Sequence, residues 1–279
     1  MTDWEHKEWR WQGKGGVSLY GQSWTPAAPR GVLILVHGLG EHSNRYLNVV
    51  NHFCPRGMAH SGYDHRGFGK SDGTRAYVDS FDDYVDDLDS FVADARGRHA
   101  DKPLVVVGHS MGGLIVLRWA ALRAPSVAAI VSSGAALEMG EPLPGARLLA
   151  TRILSRLVPK LSMPNEVDPN GLSHDTAVVK AYVEDPLVIR KITVRLGNEI
   201  LRSMGEALAL AGRVNVPLLL LHGEKDPLVA ASGSQRFYEA TQAPHKRLHV
   251  YPGFYHEIFN EIGKEKVFQD VEAWLSERV

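Results

Sequence analysis

The pentapeptide Gly108-His109-Ser110-Met111-Gly112 has the form G-x-S-x-G. It stands between a run of branched apolar residues, 104–107, and a segment of helical period, 114–122. A serine on a sharp strand-to-helix turn lifts its hydroxyl clear of the backbone. Glycines on either side let strand and helix approach, and the helix N-terminus favours negative charge that develops nearby. Ser110 is therefore the candidate nucleophile, and the amide of Met111, facing the same space, is a candidate oxyanion donor. A second amide is needed, and in this arrangement it comes from a glycine-containing loop after an earlier strand. The apolar run 32–36 ends in His37-Gly38-Leu39-Gly40, and the Leu39 amide is the choice. His37, at a strand end before a glycine, is expected to brace that loop rather than to act as a base.

A serine hydroxyl also needs a base within hydrogen-bond reach and a carboxylate to orient that base. The chain has 13 histidines, so residue type alone decides nothing and position must. In a strand–elbow–helix arrangement of this kind the chain order is Ser, acid, His. The apolar run 218–221 is followed by His222-Gly223-Glu224-Lys225-Asp226, and Asp226 takes the acid's place, with Glu224 as its neighbour and competitor. The alternating run 248–251 leads into Pro252-Gly253-Phe254-Tyr255-His256, and His256 is the candidate base. His245 precedes that run and His249 lies inside it, so neither reaches its carboxyl end. A base with the ordinary histidine pKa of about 6.5 loses activity as pH falls through that value.

The elements that must carry these groups follow from apolar periodicity. Residues 32–36, 104–107, 128–131 and 218–221 are continuous apolar runs of the kind that form strands buried on both faces. Residues 58–63 give a weaker strand and 248–251 one nearer an edge. Between them Phe81, Tyr84, Val85, Leu88, Phe91 and Val92 recur at helical spacing, with Asp82, Asp83, Asp86 and Asp87 as an acidic outer face. Val267, Val271, Trp274 and Leu275 mark a C-terminal helix. Strands alternating with helices imply an α/β fold with a mainly parallel sheet flanked by helices. Residues 9–24 predict an antiparallel hairpin on the sheet edge. The rhythm breaks between 137 and 213, a stretch rich in proline and helical patches, which is expected to be an inserted helical cap between core segments 1–136 and 214–279.

Four longer segments resemble the monoacylglycerol lipase and lysophospholipase family of serine α/β-hydrolases. Residues 37–46 are similar to its HGxGEHSxRY loop, and residues 64–73 to its D-x-R-G-x-G-x-S-x-G segment. The GHSMGG elbow at 108–113 and Tyr255-His256-Glu257-Ile258-Phe259-Asn260-Glu261 complete the match. The resemblance implies the α/β-hydrolase fold and cleavage of a monoacylglycerol, a small amphiphilic lipid ester, to glycerol and fatty acid with no metal or organic cofactor. It supports Leu39 and Met111 as oxyanion donors and places Glu41 and Arg45 near the glycerol end of the substrate, where both could instead fix the loop through an ion pair. Phe68 and Phe259 depart from positions where relatives carry histidine.

In the expected cap, Leu148, Leu149, Ile153, Leu154, Leu157, Val158 and Leu161 alternate with Arg147, Arg152, Arg156 and Lys160. An apolar stripe beside a basic one suits a lipid interface, though such a stripe can equally pack on a core. Leu143 and Ile153 are candidate lining for an acyl chain. Other readings on the same triad are a general carboxylesterase, lysophospholipase, thioesterase or peptidase. Different in class are a catalytically silent lipid-binding module and a structural membrane-surface protein. Haloalkane dehalogenases and epoxide hydrolases need a carboxylate where Ser110 stands.

The chain of 279 residues is long enough for one α/β domain with an insertion, and its formal net charge of −1 gives no global field for nucleic acid. One cysteine, Cys54, excludes an internal disulfide and is taken as structural. No run of about 18 apolar residues is present. Residues 1–12 lack the apolar stretch of a signal peptide, so a cytoplasmic protein is the expectation, with contact at membranes through the cap.

Overall fold

The computed structural model describes residues 4–165 and 167–279; residues 1–3, included above in the core and in the N-terminal stretch, lie outside the described residues. In chain order the elements are β1 (Trp4–Gln12), β2 (Ser18–Pro26), β3 (Gly31–Val36), α1 (Leu47–Phe53), β4 (Met58–Tyr63), α2 (Asp82–Arg98), β5 (Leu104–His109), α3 (Met111–Arg123), β6 (Ala129–Ser133), α4 (Gly145–Leu157), β7 (Ser162–Pro164), α5 (Thr176–Glu184), β8 (Lys191–Thr193), α6 (Val194–Leu210), β9 (Leu218–Gly223), α7 (Ala231–Ala240), β10 (Lys246–Tyr251) and α8 (Glu265–Ser276). Among the described residues an eight-stranded sheet runs in the order β1-β2-β4-β3-β5-β6-β9-β10. The strands from β4 to β10 are parallel, and β2 joins β4 antiparallel. This is the α/β-hydrolase fold.

The two faces of the sheet explain the continuous apolar runs. Val32, Ile34 and Val36 of β3 face a core shared with α2, α3 and α6, while Leu33 and Leu35 face a second core shared with α1 and α8. A strand covered on both sides buries every position, so no alternation survives in its sequence. β4 is as buried as the rest although its middle reads Ala59-His60-Ser61-Gly62, which is why its apolar signal was weak. His60 is fully enclosed there, and burial pushes its imidazole pKa down to about 3. The first hairpin is longer than its clearest pattern, with Trp4 opposite Pro26 at its open end. One reading of α2 needs correction. Asp87 is not on an acidic outer face. It is fully buried and accepts from Arg66 Nε and Nη2, both at 2.7 Å, which fixes the 64–73 segment to the helix.

The stretch between β6 and β9 holds α4, α5, α6 and the small antiparallel ribbon of β7 and β8. Its parts are held differently. Helix α6 buries Leu196, Ile200, Met204 and Ala207 in the main core and touches α3. Its first turn is capped by Thr193, whose hydroxyl accepts from the Leu196 amide and donates to the Ala76 carbonyl. Helix α4 buries only Ser155. Its apolar residues are exposed, with Leu149 at 58% and Leu157 at 73%. The stripe therefore does not pack on a core. It also outruns the helix, with Val158 and Leu161 past its last turn.

Close approach of α3 to the sheet sets the geometry of the elbow. A Cβ added at Gly112 would stand 2.1 Å from the Val36 carbonyl oxygen and 2.5 Å from that of His37. Only a residue without a side chain lets the first turn of α3 cross the end of β3 there. Gly112→Ala is expected to lose about 1–3 kcal/mol of stability through overpacking, read as a lower urea midpoint at unchanged slope; a midpoint equal to wild type would show that this contact does not hold the helix.

Candidate active site

Ser110 occupies the single residue between β5 and α3. Its backbone sits at φ 56°, ψ −119°, a region that costs a non-glycine residue roughly 1–3 kcal/mol and persists only where the surroundings enforce it. They do so here through the backbone: the Ser110 amide donates to the Ser133 carbonyl at 2.9 Å, and the Ser110 carbonyl accepts from Leu114 and Ala136, each at 3.1 Å. The serine side chain is half-buried, at the start of α3.

The loop after β3 comes up against it. A Cβ on Gly38 would stand 3.1 Å from Ser110 Cβ, and the Gly38 amide donates to Glu41 Oε1 at 2.6 Å. Among the described residues no acceptor takes the amides of Leu39 or Met111, as an oxyanion site requires before substrate arrives. His37 braces this loop. Its Nε2 accepts from the His65 amide at 2.9 Å, so its hydrogen is on Nδ1 and donates to the Gly38 carbonyl at 2.8 Å. The His65 ring in turn reaches the His37 carbonyl at 2.9 Å. Burial pushes the His37 pKa down to about 4, so the ring is neutral at ordinary pH and its only lone pair is occupied. Asp64 ties the next segment on, accepting from the amide and hydroxyl of Ser43 at 2.8 and 2.7 Å and from the Lys70 amide at 2.8 Å.

Parallel pairing of β9 with β10, with Tyr251 opposite Gly223, sets two loops side by side beyond the strand ends. Asp226 comes from one and His256 from the other, 2.6 Å apart between Oδ2 and Nδ1. Glu224 instead accepts from the Gly253 amide at 2.9 Å. The other Asp226 oxygen accepts the amides of Leu228 and Val229 at 2.9 and 3.0 Å. Burial works against the Asp226 charge, but His256 and the hydrogen bonds from His222 and His256 hold its carboxyl well below the usual range. Burial likewise opposes an imidazolium at His256, yet Asp226 first, then Glu257 and Glu41, raise its pKa above the ordinary histidine value. His109 lies beside it, ring centroids 4.7 Å apart, and burial takes its pKa down to about 3, leaving His256 as the ring that titrates.

A buried charge cluster adjoins the base. Arg45 donates through Nε to Glu41 at 3.0 Å and through Nη2 to both oxygens of Glu257 at 2.6 and 2.8 Å, with the Tyr182 ring 4.8 Å from its guanidinium carbon. The loop-fixing ion pair anticipated for Glu41 and Arg45 is thus present, and Arg45 is shared with a third residue. Glu261, almost fully enclosed, accepts from Ser173 Oγ at 3.1 Å and from the amides of His174, Tyr255 and Ile262 at 2.9, 3.2 and 2.8 Å. The amides of His256 and Glu257 donate to the carbonyls of Gly171 and Leu172 at 3.3 and 2.7 Å. The segment between β6 and β9 therefore holds the base's loop in place. Glu257 and Glu261 stand in the histidine segment, but nothing local marks their partners, which are 212 and 88 residues away.

Leu143 and Ile153 are not drawn into this cluster. Leu143 is partly buried ahead of α4, Ile153 is 48% exposed on it, and neither belongs to a core. Among the described residues no group of three or more His, Cys, Asp or Glu is arranged to hold a metal ion. What the arrangement can do is acyl transfer: a strained serine, an oriented imidazole paired with a carboxylate, and two amides free to receive negative charge.

Residues 27–263 match the model of the family Hydrolase_4, described as serine aminopeptidase S33. The monoacylglycerol lipase of Mycolicibacterium smegmatis is 34% identical over 278 residues, 99% of each chain. The human monoglyceride lipase is 30% identical over 268 residues, 94% of this chain and 88% of that one. The crystal structure of the Paleococcus ferrophilus monoacylglycerol lipase superposes with a TM-score of 0.85 at 33% identity, over 94% of this chain and 99% of that one.

A base must be unprotonated to take a proton, so activity should rise as pH climbs through the His256 pKa. Because that pKa is raised, the acid limb of kcat/KM on a soluble ester is expected above about 6.5. Asp226→Asn removes the charge chiefly responsible. It should move the limb down and cut kcat by roughly 10³–10⁴-fold; a limb that stays put in this variant would disconnect Asp226 from the base.

Proposed function

The chain belongs to the Hydrolase_4 family of serine α/β-hydrolases, and on that premise we propose that it cleaves monoacylglycerols to glycerol and free fatty acid through an acyl-enzyme on Ser110. The observation that carries the chemistry is the buried 2.6 Å bond between Asp226 and His256, at the same end of the sheet as the strained Ser110. The substrate class rests on likeness over the whole chain to monoacylglycerol lipases, 34% identity across 99% of both sequences in the mycobacterial case.

In this mechanism Ser110 Oγ attacks the ester carbonyl while His256 Nε2 takes its proton. Asp226 holds the imidazole by Nδ1 and stabilises it once charged. The carbonyl oxygen, now negative, receives the amides of Leu39 and Met111. Collapse of the tetrahedral species expels glycerol, which leaves with the proton from His256. Water then attacks the acyl-enzyme, His256 again taking the proton, and the fatty acid departs. Every step is a proton transfer or acyl transfer supplied by side chains and amides of this chain. Glu41 and Arg45, beside His109 and His256, form the polar wall against which the glycerol end would rest.

The exposed face of α4 gives the amphiphilic substrate a place to be met. Leu149, Ile153 and Leu157 stand out from the surface with Arg152 and Arg156 between them. Apolar side chains that enter the acyl boundary and cations that meet anionic headgroups are the features of an interfacial helix. No helix among the described residues is long and apolar enough to cross a membrane. The proposed contact is therefore peripheral.

Fatty-acid release from a monoacylglycerol should exceed release from di- and triacylglycerols and from a lysophospholipid, and Ser110→Ala should abolish it. Turnover of the lysophospholipid instead, still lost in the variant, would keep the triad and move the substrate class; equal activity in both proteins would end the catalytic assignment. For the interface, Leu149→Asp combined with Leu157→Asp should weaken co-sedimentation with anionic vesicles while leaving hydrolysis of a water-soluble ester intact. Vesicle binding unchanged by that pair would remove α4 from the membrane contact.

A further inference from the structure

Beside the Asp226 carboxylate, close to the same oxygen that meets His256, stands another buried histidine. His222 is the penultimate residue of β9, and its ring has three polar neighbours. Nδ1 is 2.7 Å from the Ser234 hydroxyl, itself buried on α7. Nε2 is 3.0 Å from the Val229 carbonyl and 3.3 Å from Asp226 Oδ2. A carbonyl and a carboxylate only accept, so Nε2 must carry the hydrogen, whichever way the Ser234 hydroxyl points. A ring with its hydrogen on Nδ1 alone would aim a lone pair at two acceptors in a dry site.

Asp226 Oδ2 thus lies between two imidazoles, His256 at 2.6 Å and His222 at 3.3 Å, while Oδ1 is taken up by two amides. Through the Val229 carbonyl, His222 also holds the turn that supplies one of those amides. We propose that His222, kept in place by Ser234, is a positioning residue for the triad, a role that rests on the assignment of Asp226 and His256 above. It steadies the carboxylate so that Oδ2 meets His256, and its Nε2–H, bonded to the Val229 carbonyl and with the nitrogen 3.3 Å from Oδ2, draws off charge that would otherwise act on His256 alone. It does not touch substrate. The charged and titratable groups around His256 are Asp226 beyond β9, Glu257 in its own loop, Glu41 and Arg45 from the segment between β3 and α1, and His109 at the end of β5; none of these residues is replaced when only residue 222 is altered, and of them only Asp226 is in contact with it.

The test uses two amides of different reach. His222→Asn keeps a polar partner for Ser234 but stops short of Asp226, whereas His222→Gln places an amide nitrogen close to the position of Nε2. In His222→Asn the acid limb of kcat/KM should move to higher pH, because Asp226 loses the nearby Nε2–H and acts more strongly on His256. Its kcat should fall roughly tenfold, the size seen when an outer partner of a functional side chain is lost, with KM unchanged. His222→Gln should restore both. A limb that stays at the wild-type pH in His222→Asn, with the protein folded, would reduce His222 to a packing role and overturn the proposal. The wild-type protein gives an independent reading: nitrogen NMR of its histidines should show His222 bearing hydrogen on Nε2, and a ring protonated on Nδ1 alone would overturn the proposal without any variant. Ser110→Ala is assayed alongside. Retained turnover there would fault the triad itself, whereas its loss together with an unmoved limb in His222→Asn would fault only the role of His222.

Discussion

The bond between His256 and Asp226 puts a carboxylate and an imidazole that must become charged into a place that water barely reaches. Burying such a pair is unfavourable unless its remaining hydrogen-bonding capacity is filled. The architecture around it fills that capacity. Parallel pairing of β9 and β10 brings the two loops to the same sheet end. The amides of Leu228 and Val229 occupy one carboxylate oxygen, and His222 reaches the other. The base's own loop is tied by its amides to Gly171 and Leu172 and by Glu261 to Ser173 and His174. The segment between β6 and β9 is thereby part of what holds the base and more than a cover over the site.

That segment is not uniform. Helix α6 contributes to the main core, and the ribbon touches the rest through Thr193 and Ala76. Close to the oxyanion loop, Ile189 donates to the Gly40 carbonyl and Asp185 meets His42. Helix α4 is the exception, with seven apolar residues on and just beyond it standing exposed. Firm attachment at one side and an open apolar face at the other distinguish the two parts of this segment.

Burial presses on several histidines alike, and nearby charge separates them. His37, His60, His65 and His109 are all enclosed, and loss of solvent favours their neutral forms. His256 is as enclosed, yet its pKa moves the other way because it alone among these is hydrogen-bonded to Asp226, with Glu257 and Glu41 nearby. Desolvation is common to all of them; the adjacent carboxylates make the difference. Arg45 tempers the same field by lying between Glu41 and Glu257.

Much of this was legible in the chain. Local pattern is enough to mark a strand buried on both faces, a serine between glycines at a strand-to-helix turn, and an acid and a histidine after two later strands, because each is written within a few residues. A mainly parallel α/β sheet and the identities of Ser110, Asp226 and His256 as candidates came from such patterns and from their order, while the α/β-hydrolase fold was implied by the resemblance of four longer segments. What pattern could not carry is partnership across distance. Whether the α4 stripe packs or stays exposed depends on what stands opposite it, and Asp87 looks solvated on a helical wheel until Arg66 is found against it. Glu257 and Arg45 are ordinary charged residues until folding closes the 212-residue gap between them. His222 was visible as a letter before a glycine, but its bearing on Asp226 exists only where β9, its loop and α7 converge. The sequence by itself determined the types and order of the reacting groups, since those depend on neighbours along the chain; only the tertiary structure decided their protonation and their supports, since burial and charge act through space.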